Sequence, residues 1–267
     1  MNIYYQGLEG AYGHIVSKHF SESIGIDDVI GLDTFKKVFE KIEEGNLGVV
    51  PIENSYAGSI YENFFNLSNY DVQIYSEYYL DINHCLASTS KSIDSIEKVF
   101  SHYQALMQCE NYINSYGWEA RGYMDTAGSA KYVSEQNDDS LACICSNLAA
   151  ERFGLNILAK NIQDQDNNST RFFLVGRPDI NLELQLKGKM SLVFKARHIP
   201  ASLYKCLGAF ATRNINLTKI ESLPAKDDGF DYMFWIDIEL DRNQDVVSNA
   251  LEELGFFTKK IKIIGNY

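Results

Sequence analysis

The residues best suited to chemistry lie in the stretch Asn168-Ser169-Thr170-Arg171-Phe172-Phe173-Leu174-Val175, where a neutral hydroxyl and a fixed cation precede an apolar run. Arg171 could clamp a carboxylate through two N–H groups, Thr170 could donate to a departing oxygen, and a strand from Phe172 onward would hold both rigidly. Such a pair suits a small anionic substrate that must lose a hydroxyl. Strand alternation sends Thr170 and Arg171 to opposite faces, so only one of them looks into a pocket. The Thr170 hydroxyl is too weak an acid to ionise at neutral pH. It would act by hydrogen bonding within the transition state or by relaying a proton. An isolated Thr-Arg-Phe is more often an edge strand with a surface ion pair, so the rest of the chain has to decide.

The elements that would position these groups follow from hydrophobic spacing. From Ile3 to about Val175, short β-rich runs alternate with helical patterns, which predicts βαβ units around a mostly parallel sheet. Phe35, Val38, Phe39 and Ile42 form a helical stripe that Asp33 or Thr34 can cap and Gly45 can close. Leu47 to Ile52 reads as a strand that delivers Glu53, Asn54 and Ser55. Ser59 and Glu62 match a capping box, which places Asn54-Ser55 in a strand-to-helix loop, where α/β folds hold ligands. The same strand, loop and helix order recurs at Ser101 to Gln104, at Asp125 to Thr126 and at Cys145 to Asn147. The polar tips of these loops are therefore expected to converge. Taken singly, Ser, Thr and Asn ahead of helices more often cap them. His84 and His102 read as structural imidazoles, and Glu53 as a cap or an ion-pair partner.

A second pattern begins after Gly176-Arg177-Pro178. Residues 179–188 read as a polar linker, followed by strand (190–196), helix (201–213), strand (217–223), strand (232–240), helix (245–254) and strand (256–264). This βαββαβ order is ferredoxin-like. Tyr232, Phe234, Ile236, Ile238 and Leu240 alternate with Asp231, Asp237 and Glu239, which predicts one buried and one wetter sheet face.

A chain of 267 residues supports one large domain or two modest ones without covalent staples. Its net charge of −12, with no basic cluster, argues against a nucleic-acid partner, yet an anionic substrate needs only one or two cations and some aligned N–H groups. The 5 cysteines lack metal-type spacing and read as reduced core thiols, with Cys143 and Cys145 neighbours on one face of a strand. The N-terminus lacks the pattern of a signal peptide and no apolar stretch approaches bilayer length, so a cytoplasmic location is expected. Walker, nucleophile-elbow and zinc signatures are absent, and Asp164 with Asp166 reads as a solvated turn. Neither a metal nor a cofactor is expected.

Several further segments recur with Thr170-Arg171-Phe172 in a characteristic order: Tyr5-Gln6-Gly7, Gly10-Ala11-Tyr12, Val50-Pro51-Ile52-Glu53-Asn54-Ser55, Asn83-His84-Cys85-Leu86, Ser101-His102-Tyr103-Gln104-Ala105-Leu106, Asp125-Thr126-Ala127-Gly128 and Ile162-Gln163-Asp164. Together they resemble the prephenate dehydratase family, which includes the arogenate dehydratases, over essentially the whole chain. The resemblance implies an α/β fold with a two-lobed, periplasmic-binding-protein-like catalytic domain at 1–178, crossing between lobes within 75–87. After the linker at 179–188 it implies a ferredoxin-like βαββαβ ACT regulatory domain at 189–267. No chorismate mutase domain is expected ahead of Ile3.

The implied reaction is the decarboxylative dehydration of prephenate, with arogenate as the alternative substrate and a non-catalytic amino-acid sensor as a reading of another class. Thr170 becomes the donor to the leaving hydroxyl. Asn54, Ser55, Ser101, Gln104, Thr126, Arg171 and Phe172 become substrate contacts, and the joint match turns the first five from mere caps into site candidates. The ACT resemblance implies a homodimer or homotetramer that binds phenylalanine near Ala201, Ser202, Leu203, Asn216, Leu217, Glu221 and Ser222. Three positions depart from the family pattern. Tyr103 replaces a proline, which could reshape the loop of Gln104 while its site partners remain, Ala201 replaces the glycine of a Gly-Ala-Leu motif, and Leu223 replaces the arginine of Glu-Ser-Arg-Pro.

Overall fold

The structure, a computed structural model, describes every residue except 183, 185–187, 225–231 and 241–243. Part of the expected linker at 179–188, and Asp231, therefore lie outside the described residues. In chain order the first elements are β1 (Ile3–Gln6), α1 (Tyr12–Ile24), β2 (Val29–Leu32), α2 (Phe35–Glu43), β3 (Leu47–Asn54), β4 (Gly58–Ser59), α3 (Tyr61–Asn69) and β5 (Gln73–Asp81). They are followed by β6 (Cys85–Ser88), β7 (Lys98–Ser101), α4 (Tyr103–Gln108), α5 (Glu110–Tyr116), β8 (Glu119–Gly122), α6 (Thr126–Gln136), β9 (Leu141–Cys145), α7 (Asn147–Arg152), β10 (Asn156–Lys160) and β11 (Ser169–Gly176). The C-terminal run is β12 (Lys189–Ala196), α8 (Ser202–Ala211), β13 (Leu217–Pro224), β14 (Tyr232–Glu239), α9 (Gln244–Phe257) and β15 (Thr258–Asn266).

The chain divides into two compact units, one of residues 1–60 with 78–173 and the other of residues 61–77 with 174–267. β1 runs parallel to both β2 and β3, in a sheet of order β2-β1-β3-β11-β5 with β4 folded back on β3. The other sheet has the order β10-β6-β9-β7-β8 and mixes parallel with antiparallel pairs. Its central strand β9 is buried on both faces. Leu141, Cys143 and Cys145 pack on one side with Ala127, Ala130 and Val133, and Ala142 and Ile144 pack on the other with Leu106, Ile113 and Trp118. That is why Leu141–Cys145 reads as an unbroken apolar run. All five cysteines are buried and free. Two short connections cross between the sheets, at 82–84 and 161–168, and they are stitched together by Ile82 N–H to Asn168 O (2.7 Å) and Ile162 N–H to His84 O (3.1 Å). This is the periplasmic-binding-protein-like arrangement of the fold.

The second unit holds a sheet of order β13-β14-β12-β15, all antiparallel, with α8 and α9 packed on one face. It is the expected ferredoxin-like βαββαβ. Two expectations need correction. The other face of this sheet is not wet: Trp235 and Asp237 are fully buried, because Phe64 of α3 packs edge-on against Trp235 with ring centroids 5.0 Å apart. Asp237 tolerates burial because its carboxylate accepts from Ser191 Oγ (2.5 Å) and Trp235 Nε1 (2.7 Å). Leu223 is fully buried too. The last strand begins at Thr258 rather than Phe256, since α9 continues through Phe257.

The cover over Trp235 is tied down by more than apolar contact. Lys262 Nζ donates to the carbonyls of Leu67 and Tyr70 at the end of α3, where a cation meets the negative end of the helix dipole. Tyr61 OH donates to Glu221, and Lys189 pairs with the buried Glu77 at 2.8 Å. Sequence patterning within the βαββαβ segment carries no sign of this layer, because 61–77 lie far upstream.

Candidate functional site

Asn54, Asn168 and Thr170 meet on one side of the neighbouring strands β3 and β11. The Asn54 side chain has a single possible orientation, because its Oδ1 accepts the backbone N–H groups of Tyr56 (3.0 Å) and Ala57 (2.9 Å). Its Nδ2 therefore donates, and the acceptors are Asn168 Oδ1 (2.8 Å), Ser169 O (3.1 Å) and Thr170 Oγ1 (2.9 Å). A threonine oxygen that accepts from an amide keeps its own proton for another acceptor. Thr170 is almost fully buried, with 8% of its surface exposed.

Residues 55–57 are the turn of a hairpin rather than an open strand-to-helix loop, and Ser59 pairs with Glu53 instead of opening a helix. This corrects the expected placement. Ser55 fastens the turn to β11, with its N–H donating to Ser169 O (2.9 Å) and its Oγ accepting from Ser169 N–H (3.0 Å). The Asn54 geometry thus depends on a turn that is itself pinned.

Arg171 points the other way, as strand alternation requires. It is 3% exposed, pairs with Glu53 at 3.0 Å, and lies 4.7 Å from the Phe173 ring centroid and 5.7 Å from that of Tyr79. Glu53 thus finds its role as the carboxylate that balances a buried guanidinium. Phe172 is a core residue, 2% exposed.

Beside the Asn54 cluster lies a cavity of about 310 Å³ lined by the hairpin tip (Tyr56, Ala57), by α4 (Gln104, Met107, Gln108) and by the second crossover (Gln163, Asp164, Gln165, Asn168). Tyr56 OH donates to Gln165, closing one rim. Gln104 is exposed to this cavity. Gln108 and Asn168, which sequence reasoning missed, join it to the Thr170 cluster: Asn168 Nδ2 donates to Gln108 Oε1 at 3.0 Å. The available signals were positional, Gln108 one helical turn after Gln104 and Asn168 two strand residues before Thr170.

Amide donors, one hydroxyl with a spare proton and a neighbouring open cleft suit the binding and elimination of a small oxygen-rich molecule. A family model described as prephenate dehydratase matches residues 3–180 of this chain. The chain belongs to the prephenate dehydratase family. It is an enzyme of the carbon–oxygen lyase class. A prephenate dehydratase from Methanocaldococcus jannaschii is 39% identical over 263 residues, covering 97% of this chain and 95% of that one. An arogenate dehydratase/prephenate dehydratase from Arabidopsis thaliana is 36% identical over all of this chain and 72% of its own length. Among solved structures, a prephenate dehydratase from Arthrobacter aurescens in complex with L-Phe superposes with a TM-score of 0.88 at 27% identity, covering 100% of this chain and 89% of that one.

Of the expected site residues only Gln104 lines the cavity, Asn54, Ser55 and Thr170 lie beside it, and Ser101 and Thr126 belong to neither group. Ser101 is fully buried and donates to Ile144 O (2.6 Å), bridging β7 and β9. Thr126 opens α6, whose cap is Asp125 accepting from Gly128 N–H (2.6 Å). Ser146 caps α7 and donates to Gly10 O (2.6 Å). Gly10 is required there: its φ is +94°, and a Cβ would lie 2.6 Å from the Ala149 backbone. Tyr103 occupies the first helical position of α4, with His102 Nδ1 accepting from Gln104 N–H (3.3 Å). A proline fits such a position because its N–H has no helical partner in any case, so tyrosine replaces it without disturbing the cap. Among the described residues no group of three or more His, Cys, Asp or Glu is placed to hold a metal ion.

The expected effector positions surround the N-terminus of α8 and the β13–β14 pair. Ala201 takes φ +58° and ψ +26°, a left-handed conformation, just before α8. Ser202 opens the helix, while Leu203 and Leu217 pack on the ferredoxin-like core. Asn216 Nδ2 donates to Glu239 Oε2 (3.1 Å), Glu221 accepts from Tyr61 OH (3.0 Å), and Ser222 is exposed.

Proposed function

We propose that this enzyme converts prephenate to phenylpyruvate, CO2 and water, with Thr170 as donor to the leaving hydroxyl. The carrying observation is the Asn54 amide, pinned by two backbone N–H groups so that Thr170 accepts from it and must donate elsewhere. In the reaction the electrons of the bond to the ring carboxylate flow into the ring, the carbon–oxygen bond breaks, and the departing oxygen takes up a proton to leave as water. Aromatisation supplies the driving force, so the protein needs to orient the dicarboxylate and stabilise the departing oxygen. Gln104, Gln108 and Asn168 supply neutral contacts, with Ser55 supporting the turn behind Asn54. Arg171 and Phe172 act from behind the site.

A second reading, arogenate as substrate, is supported by Asp164 on the cavity wall. One of its oxygens accepts from Asn111 N–H (3.0 Å), which leaves the other to pair with an ammonium. A site that pairs an ammonium discriminates strongly against a ketone. Assay of the purified protein with each substrate decides. Turnover of neither would overturn both readings in favour of a sensor, and a kcat/KM ratio favouring arogenate that Asp164→Asn abolishes would establish the second.

The domain assignment of residues 1–178 as catalytic, 179–188 as linker and 189–267 as an ACT regulatory domain belongs to the same proposal. It is supported by the βαββαβ order and by the L-Phe bound to the Arthrobacter aurescens relative. Phenylalanine would bind near Ala201 to Leu203, Asn216, Leu217, Glu221 and Ser222, in a homodimer or homotetramer. Calorimetric titration alongside activity tests this: neither heat nor inhibition at millimolar phenylalanine would leave the domain a dimerisation module. No helix among the described residues is long and apolar enough to cross a membrane, and the five buried free thiols support a reducing, cytoplasmic setting.

A further inference from the structure

The hydrogen bonds that orient Thr170 do not end at Gln108. His84, 3% exposed, places Nε2 at 2.9 Å from Gln108 Oε1, and its Nδ1 lies 2.9 Å from Tyr12 OH. Tyr12 OH also lies 3.0 Å from Asn83 O. The direction of each bond from Asn54 to His84 can be worked out from the fixed end. Backbone N–H groups force Asn54 to present Nδ2 to Asn168. Asn168 must then present Oδ1 to Asn54 and Nδ2 to Gln108, so Gln108 presents Oε1 inward. An oxygen at that place accepts from His84, which requires the proton on His84 Nε2.

We propose that His84, held by Tyr12 with its proton on Nε2, is a positioning residue that keeps the Gln108 amide turned so that its NH2 group faces the cavity and donates to substrate. With Oε1 engaged by both Asn168 and His84, the Gln108 amide cannot flip without setting two donors against each other. Gln108 then offers its NH2 group from the cavity wall, on the same hydrogen-bond network that orients the Thr170 hydroxyl through Asn168 and Asn54. Tyr12 has a single hydroxyl proton with two acceptors in reach, Asn83 O at 3.0 Å and His84 Nδ1 at 2.9 Å, and shares it between them, so that Nδ1 of the neutral imidazole stays bare. Burial lowers the pKa of His84, which favours that neutral form.

The sequence logic fits this chain of contacts. Tyr12 opens α1 directly after the Gly10 loop, which is held against α7 by its close backbone approach and by Ser146. His84 lies in the first crossover, where its N–H donates to Gln163 Oε1 (3.0 Å). A buried imidazole with both ring nitrogens engaged is more often structural than functional. What distinguishes His84 is that its donor ends on a side chain lining the cavity.

The proposal rests on the dehydratase reading for its kinetic arm and stands apart from it for its spectroscopic arm. Long-range 1H–15N correlation of the imidazoles at pH 8 should show His84 protonated on Nε2 and bare on Nδ1; a proton on Nδ1 would overturn the proposal whatever the enzyme turns over. In kinetics, His84→Leu should raise KM for the accepted substrate roughly 10- to 100-fold with a smaller change in kcat. His84→Gln, which can restore an amide donor toward Gln108, should recover much of the loss. In a Gln108→Ala background, His84→Leu should cost nothing further, because the effect passes through Gln108. An equal fold-loss in both backgrounds would make His84 a packing residue only. Absence of turnover with prephenate and arogenate in the unsubstituted protein would refute the dehydratase reading and leave the tautomer measurement to judge His84.

Discussion

The Thr170 cluster and the turn before α8 meet their prospective ligands in opposite ways. Around Thr170, side chains satisfy one another so that unused donors remain for substrate, with Asn54 anchored by backbone N–H groups and Asn168 holding Gln108. Around α8, the named side chains are largely committed within the unit: Asn216 to Glu239, Glu221 to Tyr61, Leu203 and Leu217 to the core. A ligand there would meet mainly backbone, at the turn before α8. Substitutions at the first site should therefore change chemistry while preserving the fold, and substitutions at the second should change conformation and affinity together.

The strongest test of that contrast is Thr170→Ala. It should lower kcat by about 10²- to 10⁴-fold with an unchanged circular dichroism spectrum, while Thr170→Ser retains more. Near-normal turnover in the alanine variant would move donation to another cavity group and erase the distinction at its root.

Glu53→Ala sharpens the boundary of the chemical site. It removes the carboxylate beside an almost fully buried guanidinium, and denaturant unfolding should report a loss of about 3 kcal/mol. If Arg171 acts from behind, a doubly neutral Glu53→Leu/Arg171→Leu protein should recover stability. A collapse of substrate affinity in that double variant, with stability intact, would return Arg171 to the binding set.

The pH dependence of stability reads the buried imidazoles of the first unit. His14 and His84 have folded pKa values lowered mainly by burial. Below the ordinary value of 6.5 the unfolded chain takes up protons that the folded chain refuses, so stability is full above that pH and falls as pH drops toward the folded values. The slope is at most about 1.4 kcal/mol per pH unit for each histidine. His84→Gln should flatten it in thermal unfolding between pH 6.5 and 5. An unchanged slope would assign the effect elsewhere.

The smallest expected effect belongs to the backbone-built region. Asn137, Asn161, Asn167 and Asn214 also take positive φ, which asparagine tolerates, whereas Ala201 has no side-chain amide to compensate. Ala201→Gly should raise stability by up to about 1 kcal/mol, the relief of strain being partly offset by the greater freedom of glycine in the unfolded chain. The same change should tighten phenylalanine binding in calorimetry. Lower stability with unchanged affinity would show that the turn is not a recognition element.

Much of the architecture follows from the order of residues because the relevant forces are local. Hydrophobic spacing of 3.6 and 2 locates the helix at Phe35–Glu43 and the βαββαβ segment, and alternation alone separates Thr170 from Arg171. Asp125, Thr34 and Ser146 cap helices within three residues of themselves, a reach that spacing can express. The tertiary structure decided everything whose partner is distant in the chain. Asn54 meets Thr170 across 116 residues, Arg171 meets Glu53 across 118, and Asn168 meets Gln108 across 60. Phe64 covers Trp235, and thereby turns a face with the alternation of a wet surface into core. Residue order along a strand states which side chains share a face. Only the packed chain states what lies opposite, because burial and hydrogen-bond direction depend on the neighbour as much as on the residue.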